Sequence, residues 1–313
     1  MLFEGLKGDE VVDSWTIYSV GGGALANEAS RLETPRSIYP LSTISEIKEW
    51  CYHEGKTFWE YVSDCEGPEI WDYLDTVWET MCATIQRGLN NDGVLPGGLK
   101  VARKASTYWV KSKSYTDSLS SRAKIYAYAL ATSEENASGG TVVTAPTCGS
   151  SGVMPAVLYH LFTSRNFLRI RILRALATAG LFGNVAKTNS SISGAEVGCQ
   201  GEVGVACAMA AAAACQLFGG TPSQIEYAAE MGLEHHLGLT CDPVCGLVQV
   251  PCIERNAIAA ARAFDANAYA TLSDGSHMVS FDKVVEVMNE TGHALPSLYR
   301  ETSEGGLAKR FKR

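Results

Sequence analysis

The chain has 313 residues, of which 19% are charged and 46% are hydrophobic, and its formal net charge is −8 at pH 7. This composition excludes an intrinsically disordered chain, which has fewer apolar and more charged residues. The acidic balance argues against a nucleic-acid partner or an anionic membrane surface, since both require a basic face. The length suits one large domain or two ordinary ones with a substantial core.

The sequence contains neither a membrane span nor a secretion signal. Its most apolar run, Val203–Cys215, is shorter than the roughly 20 residues that cross a bilayer. The first ten residues include four charged side chains and no apolar stretch. We therefore expect a cytoplasmic protein, whose 10 cysteines are packing residues, metal ligands or catalytic thiols rather than disulfides.

The first forty residues have a pattern of their own. Residues 11–20 are rich in β-branched and aromatic types and predict a strand. The glycine run Gly21–Gly23 follows, and residues 28–41, which contain Pro35 and Pro40, predict a linker.

From Thr43 onward the pattern is mostly helical. The capping box Thr43–Glu46 predicts a helix that ends at Gly55, and a second amphipathic helix around Leu74 and Val77 ends at Gly88. The sequence then predicts irregular structure over 90–120, a short helix over 122–132 and a short strand over 141–145. The remaining predicted helices end near Phe162, span 167–180, 201–218, 251–272 and 281–291, and include one that begins at the capping box Thr221–Gln224. The alanine-rich helix 201–218 is apolar on nearly every side, so we expect it to be central.

Residues 184–204 form the densest polar and glycine-rich segment. It carries hydroxyls, an amide, carboxylates, a lysine and a thiol beside the predicted central helix. We interpret it as a flexible loop that contributes to a functional site, because such loops on rigid scaffolds commonly do. A long polar connection without a function is the alternative.

A second segment, residues 234–256, holds Cys241, Cys245 and Cys252 together with two prolines. The spacing of these cysteines does not match zinc fingers or ferredoxin-type clusters, and each could be a small buried hydrophobe. The adjacent His235 and His236 diverge by about 100° on a helix, so one metal ion is not expected to bind both. We expect one of them to orient a partner and the other to be structural.

A third segment, residues 146–152, precedes a predicted helix and holds Cys148, Ser150 and Ser151. Its backbone N–H groups and hydroxyls predict a cradle for a carboxylate or phosphate, and the helix N-terminus is expected to lower the pKa of the Cys148 thiol. An ordinary helix cap is the alternative. Five further cysteines lie in or beside apolar helices and are predicted to pack in the core: Cys51, Cys65, Cys82, Cys207 and Cys215.

Taken together, these segments resemble the iron–sulfur L-serine dehydratases. The resemblance rests on residues 145–152, 191–204, 238–244 and 251–256, and residues 299–307 are similar to the closing segment of the family. It implies a mainly α fold, with a helical catalytic domain around a cluster over residues 41–313. Residues 1–40 would then be the linker and a short β remnant of an α/β N-terminal domain.

The resemblance also implies the chemistry. Such enzymes convert L-serine to pyruvate and ammonia, and an open iron of a [4Fe–4S] cluster acts as a Lewis acid on the departing oxygen. The implied ligands are Cys199, Cys241 and Cys252. The implied catalytic residues are Lys187, His235 and Ser193, with Lys187 or a histidine as the base. The implied substrate-binding residues are Thr147, Ser150, Ser151, Gly152, Asn189, Ser191 and Arg255.

The sequence departs from the family in two places. Single-chain relatives begin with a domain that carries a Ser-Ser-His-Thr motif, whereas the first histidine here is His53, and the cysteine tail of some relatives is replaced by residues 309–313, which contain no cysteine. We expect a homodimer. The missing motif gives an alternative to an enzyme that is active alone, namely a catalytically incomplete subunit or fragment that needs a separate N-terminal-domain partner. A second alternative is a pyridoxal-phosphate lyase, for which the glycine run Gly21–Gly23 would cradle the phosphate.

Overall fold

The computed structural model describes residues 1–19, 25–27 and 38–311, and within them the predicted mainly α fold is confirmed. The β structure is two small antiparallel pairs at the start of the chain. Strand β1 (Leu2–Lys7) pairs with β2 (Glu10–Thr16), and β3 (Tyr18–Ser19) pairs with β4 (Leu25–Ala26). The predicted strand over 11–20 thus corresponds to β2 and β3. The glycine run Gly21–Gly23 and most of the predicted linker lie outside the described residues.

The described helices follow one another from residue 44 to residue 310. Their bounds are α1 (Ile44–Glu54), α2 (Phe58–Glu66), α3 (Glu69–Leu89), α4 (Ala105–Ser112), α5 (Asp117–Ala137), α6 (Val153–Arg165), α7 (Arg169–Asn189), α8 (Gly194–Val197), α9 (Val205–Leu217), α10 (Pro222–Glu234), α11 (Cys252–Leu272), α12 (Phe281–Ala294) and α13 (Gly306–Arg310). A π-helical turn, Gln200–Gly204, leads directly into α9. No helix in this part of the chain is both long and apolar enough to cross a membrane.

Helix α9 is the centre of the core, as its composition predicts. It is buried along its whole length except at Gln216, and α6, α7, α10 and α11 pack around it. Small side chains let these helices approach closely. A Cβ atom at Gly232 of α10, for example, would lie 3.0 Å from the Cα of Ala208.

The two predicted capping boxes are confirmed. The Thr43 hydroxyl accepts a hydrogen bond from the Glu46 amide at 3.2 Å, and the Thr43 amide donates to the Glu46 carboxylate at 3.1 Å. Thr221 and Gln224 make the equivalent pair, with Pro222 at the first helical position. These local signals determine where α1 and α10 begin.

The prediction of irregular structure over 90–120 is wrong in its second half. Helix α4 lies there, and α5 begins at Asp117 and is 21 residues long. The start of α4 is stabilised from a distance, since the amides of Lys104 and Ala105 donate to the carboxylate of Glu134 on α5 at 2.7 and 3.3 Å. A cap supplied by a residue about thirty positions away leaves no local signature.

Two further predictions need correction. Residues 141–145 form no strand, because no neighbouring segment of the described chain pairs with them. The predicted helix over 167–180 continues to Asn189, so residues 184–204 are not one flexible loop. They comprise the end of α7, a short connection, α8 and the π-helical turn. Their polar side chains are held on ordered backbone rather than on a mobile segment.

Candidate metal centre

The fold buries three cysteines from three separate segments, and two of them, Cys199 and Cys241, lie close together. Cys199 lies between α8 and the π-helical turn, Cys241 lies in the connection after α10, and Cys252 is the first residue of α11. Their exposed fractions are only 2%, 3% and 8%. The Sγ atoms of Cys199 and Cys241 and a carboxylate oxygen of Glu202 all lie within 4.8 Å of one another. This arrangement is compatible with a metal or iron–sulfur site.

The surroundings of Cys241 and Cys252 keep these two thiols uncharged unless a cation binds. Burial, followed by the charges of the nearby Cys199 and Glu202, raises the pKa of Cys252 to about 12. The hydrogen bond with Cys199, followed by burial, raises the pKa of Cys241. A bound metal reverses this balance, because it stabilises the thiolates that ligate it.

Glu202 is the central site residue for which the sequence suggested no role. Its Oε2 atom lies 3.8 Å from the Sγ atoms of both Cys199 and Cys241. Its Oε1 atom accepts a hydrogen bond from the Thr147 hydroxyl at 2.9 Å. Its position three residues after Cys199 is the only sequence signal, and the π-helical turn is what directs both side chains to one pocket.

Two glycines make room for the Glu202 carboxylate. A Cβ atom at Gly194 would lie 2.7 Å from Glu202 Oε2 and 3.0 Å from Cys241 Sγ. A Cβ atom at Gly149 would lie 3.2 Å from Glu202 Oε1. Glycine at position 194 is therefore required by space rather than by backbone conformation.

The 147–152 segment lies beside Glu202 and is held by hydrogen bonds within itself and to its neighbours. The hydroxyls of Thr147 and Ser150 are 3.1 Å apart, and the Ser151 hydroxyl donates to the Cys148 carbonyl at 2.8 Å. The Gly152 amide donates to the Asn256 side chain at 2.9 Å. Thr147 therefore connects this segment to the thiols, because it donates a hydrogen bond to Glu202 and Glu202 contacts Cys199 and Cys241.

Cys148 differs from the expectation for a thiol at a helix start. Its pKa is raised rather than lowered, chiefly by desolvation and then by the negative charge of Glu202. These effects outweigh the backbone hydrogen bonds that favour the thiolate. Cys148 and Cys245 are both exposed, unlike the three clustered cysteines.

Asn256 ties the 147–152 segment to the start of α11. Besides accepting from Gly152, its side-chain amide donates to the carbonyls of Gly149 and Cys252, each at 2.8 Å. It is 1% exposed. The buried side-chain amide of Asn256 therefore fixes the position of Cys252 relative to the 147–152 segment.

We expect Asn256→Ala to lower the free energy of unfolding by about 1–3 kcal/mol, because it leaves the buried Gly152 amide without an acceptor. Asn189→Ala is the matched control, since the Asn189 side chain makes one exposed bond, to the Ser42 carbonyl at 2.7 Å. Urea denaturation measures both. Equal losses in the two variants would contradict this role of Asn256.

The predicted site residues near the end of α7 lie beside a different opening. Lys187 is exposed and lines a cavity of about 430 Å³ whose wall includes Pro146 and Ile192, the neighbours of Thr147 and Ser191. Ser193 is buried at the start of α8, and its amide donates to the Ser191 hydroxyl at 3.0 Å. These residues adjoin the two segments that carry Thr147 and Cys199.

The two adjacent histidines occupy different environments. His235 is exposed, its Nδ1 lies 3.0 Å from the Met231 carbonyl, and it lines another cavity of about 870 Å³ between α10, α11 and α12. His236 is buried, and a Cβ atom at Gly204 would lie 2.9 Å from its Cβ atom. Burial lowers the pKa of His236 to about 4. The structure thus packs His236, rather than His235, against the turn that carries Glu202.

The segment around Cys241 is fixed from two sides. Arg255 donates to the Thr240 carbonyl at 2.7 Å. The closing segment runs parallel to Cys241, whose amide donates to the Tyr299 carbonyl at 2.8 Å and whose carbonyl accepts from the Glu301 amide at 2.5 Å. Burial raises the pKa of Glu301, whose charge in turn raises the pKa of Glu202. The closing segment therefore belongs to the site.

The Glu202 carboxyl predicts a pH dependence of stability. Burial is the main cause that raises its pKa to about 7. The folded state therefore binds this proton more tightly than the unfolded state, and stability declines as pH rises from about 4.5 through 7. We expect metal-free protein to lose on the order of 2 kcal/mol from this group across that interval.

Chemical denaturation of the metal-free protein at several pH values measures this decline. Glu202→Gln should flatten it, whereas Glu196→Gln, which removes an exposed carboxyl on α8, should leave it in place. A Glu202→Gln variant with the original slope would contradict the assignment.

The helical fold and the buried group of Cys199, Glu202 and Cys241 are together compatible with a protein that holds a metal or an iron–sulfur centre. The sequence matches the family described as serine dehydratase alpha chain over residues 23–308. It is 46% identical to L-serine dehydratase 1 of Escherichia coli (strain K12), covering 98% of this chain and 71% of that protein. It is also 46% identical to L-serine dehydratase of Streptomyces coelicolor, covering 96% and 69%, and 45% identical to that of Haemophilus influenzae, covering 94% and 68%. The chain belongs to the serine dehydratase alpha chain family.

Proposed function

We propose that this protein is an L-serine dehydratase, which converts L-serine to pyruvate and ammonia. The observation that carries the proposal is the buried group of Cys199, Glu202 and Cys241, whose ligand atoms lie within 4.8 Å of one another, in a chain of this family. Relatives of 45–46% identity that span nearly the whole chain are named L-serine dehydratases, which supports the same substrate.

The cofactor in this proposal is a [4Fe–4S] cluster held by Cys199, Cys241 and Cys252. The donor set supports it, because three buried thiolates without disulfides suit iron–sulfur centres. The space that Gly194 leaves beside Cys241 and Glu202 also supports it. When bound, the cluster supplies an open iron that acts as a Lewis acid toward the serine hydroxyl.

The residues of the chain itself bind the substrate and move its protons. Thr147, Ser150 and Ser151 lie in the segment beside Glu202 and are proposed to position the serine carboxylate, with Gly152 fixing their backbone. Lys187, which lines the 430 Å³ cavity, is proposed as the base that removes the Cα proton. Asn189, Ser191 and Ser193 follow it in the chain and are proposed to line the substrate site. Glu202 and Arg255 are positioning residues, since they hold Thr147 and the segment of Cys241.

Loss of the Cα proton and of the hydroxyl, as water, converts serine to aminoacrylate. This product tautomerises to an imine, and one water hydrolyses the imine to pyruvate and ammonia. His235 is exposed and lines another cavity, so this proposal gives it no role in proton transfer.

The proposal includes a cytoplasmic homodimer and a separate N-terminal-domain subunit as partner. A reducing compartment suits a cluster and ten free thiols. Large exposed apolar side chains near the end of α11 and before α12 support an interface between copies: Tyr269, Leu272, Met278 and Val279. Light scattering measures the mass, and a monomer would contradict the dimer.

The experiment is an anaerobic assay of pyruvate formation from L-serine, combined with an absorbance spectrum. The proposal predicts a brown protein that bleaches in air and forms pyruvate, either alone or with a co-expressed N-terminal domain of a relative. A stable yellow protein would indicate pyridoxal phosphate instead. No turnover of the cluster-loaded protein in either arm would contradict the proposed activity.

A further inference from the structure

A small cavity, which we call the arginine pocket, lies far from the thiols. It occupies about 280 Å³ between α2, α7 and the end of α9, and its lining includes Arg171, Arg174, Gln216, Thr57 and Trp59. It shares no lining residue with the metal centre or with the cavity beside Lys187. It lies at the ends of α7 and α9 opposite to those that adjoin the site.

Arg174 is the residue of this pocket that most directly indicates a bound ligand. Its guanidinium stacks on the Trp59 ring, 4.1 Å from the centroid. Its Nε atom is buried without a hydrogen-bond partner, and Arg174 forms no ion pair within the described part of the chain. A buried guanidinium N–H that lacks an acceptor is costly unless a bound group supplies one.

Neighbouring side chains provide further hydrogen-bond donors that indicate a ligand with acceptor atoms. Arg171 donates one N–H to the Leu217 carbonyl at 2.7 Å and lies over the Phe167 ring, so its other N–H groups remain available. The Gln216 carbonyl oxygen accepts from the Thr178 hydroxyl, which leaves the Gln216 amide N–H groups without an acceptor among the described residues. The positive end of α2 borders the pocket at Thr57 and Trp59.

No carboxylate among the described residues lines the pocket. The nearest acidic group in sequence, Glu60, accepts hydrogen bonds from the amide and hydroxyl of Thr57, both at 2.9 Å. Two guanidinium groups stacked on aromatic rings, without an internal counter-charge, form a site suited to a planar or tetrahedral oxyanion.

We propose that the arginine pocket binds a small molecule that carries a phosphate or carboxylate group. The volume limits the ligand to a few heavy atoms around that group, and Trp59, Leu217 and Ile225 provide its apolar walls. The arginine pocket is separate from the metal centre, so this proposal does not depend on the proposed reaction.

Isothermal titration of the full, metal-loaded chain tests this, with inorganic phosphate and pyruvate as separate probes in a buffer free of other oxyanions. Arg174→Met keeps an apolar stem against Trp59 but removes the donors. We expect saturable binding of at least one probe and a loss of affinity of at least about tenfold in Arg174→Met. Arg171→Met is the second variant and should lose affinity in the same direction.

The matched control is Arg169→Met. Arg169 lies on the same helix but pairs with Asp75 and with Glu79, the latter at 2.8 Å, away from the pocket. It should bind the probes as the unmodified chain does. Binding of phosphate alone assigns the ligand to phosphate compounds, and binding of pyruvate alone assigns it to carboxylates. No saturable binding of either probe, or binding unchanged in both pocket variants, would overturn the proposal.

Discussion

Replacing any of Cys199, Cys241 or Cys252 by serine is expected to remove bound iron and to lower the rate of pyruvate formation by at least about a hundredfold. Even partners that only support a metal ligand typically account for 10–100-fold in affinity or activity, and loss of a ligand is more severe. The measurement is iron and sulfide per chain after anaerobic reconstitution, together with the serine assay.

Cys245→Ser is the matched control for these variants. Cys245 lies in the same connection as Cys241 but is exposed. It should retain both iron and activity. Full activity after serine replacement of Cys199, Cys241 or Cys252 would remove that cysteine from the proposed ligand set. Loss of iron in Cys245→Ser would contradict the proposed ligand set as well.

Adding one methyl group at Gly194 is expected to have the second largest effect. The Cβ atom of Gly194→Ala would lie 2.7 Å from Glu202 Oε2 and 3.0 Å from Cys241 Sγ, so one of these groups must move. A displacement of about 1 Å at a catalytic geometry can lower the rate by about a hundredfold. We expect iron content and activity to fall while the helical circular-dichroism spectrum is retained.

Gly180→Ala separates this effect from the general consequence of adding a methyl group. Gly180 lies within α7, and its Cβ atom would meet nothing within 4 Å. Alanine is favoured over glycine in a helix interior by roughly 0.5–1 kcal/mol, so this variant should be slightly more stable and should keep its full iron content. Equal iron content in the two variants would contradict the crowding at Gly194.

The parts of the fold predicted from sequence are those with local causes. Thr43 and Thr221 begin helices through hydrogen bonds to residues three positions away. The central position of α9 follows from its uniform apolar composition. Helix α4 could not be predicted because Glu134, on another helix, caps its start. Residues 141–145 have the composition of a strand, but no other segment of the described chain pairs with them.

The same distinction applies to the site. The family resemblance implies the three cysteine ligands, whereas their spacing alone does not distinguish them from Cys245. Only the fold places Cys199 beside Cys241 and buries both, together with Cys252. Glu202 was overlooked because one carboxyl in a glycine-rich run has no distinctive pattern. Its role depends on Thr147, which is 55 positions away in the sequence.

The rate of pyruvate formation as a function of iron bound per chain is the most direct test of the account. Metal-free protein is reconstituted anaerobically in steps, and iron, sulfide and the initial rate with L-serine are measured at each step. A [4Fe–4S] centre predicts a rate that rises with iron to a limit near four irons per chain and that stays at background in Cys252→Ser. A rate independent of iron content would contradict the central claim.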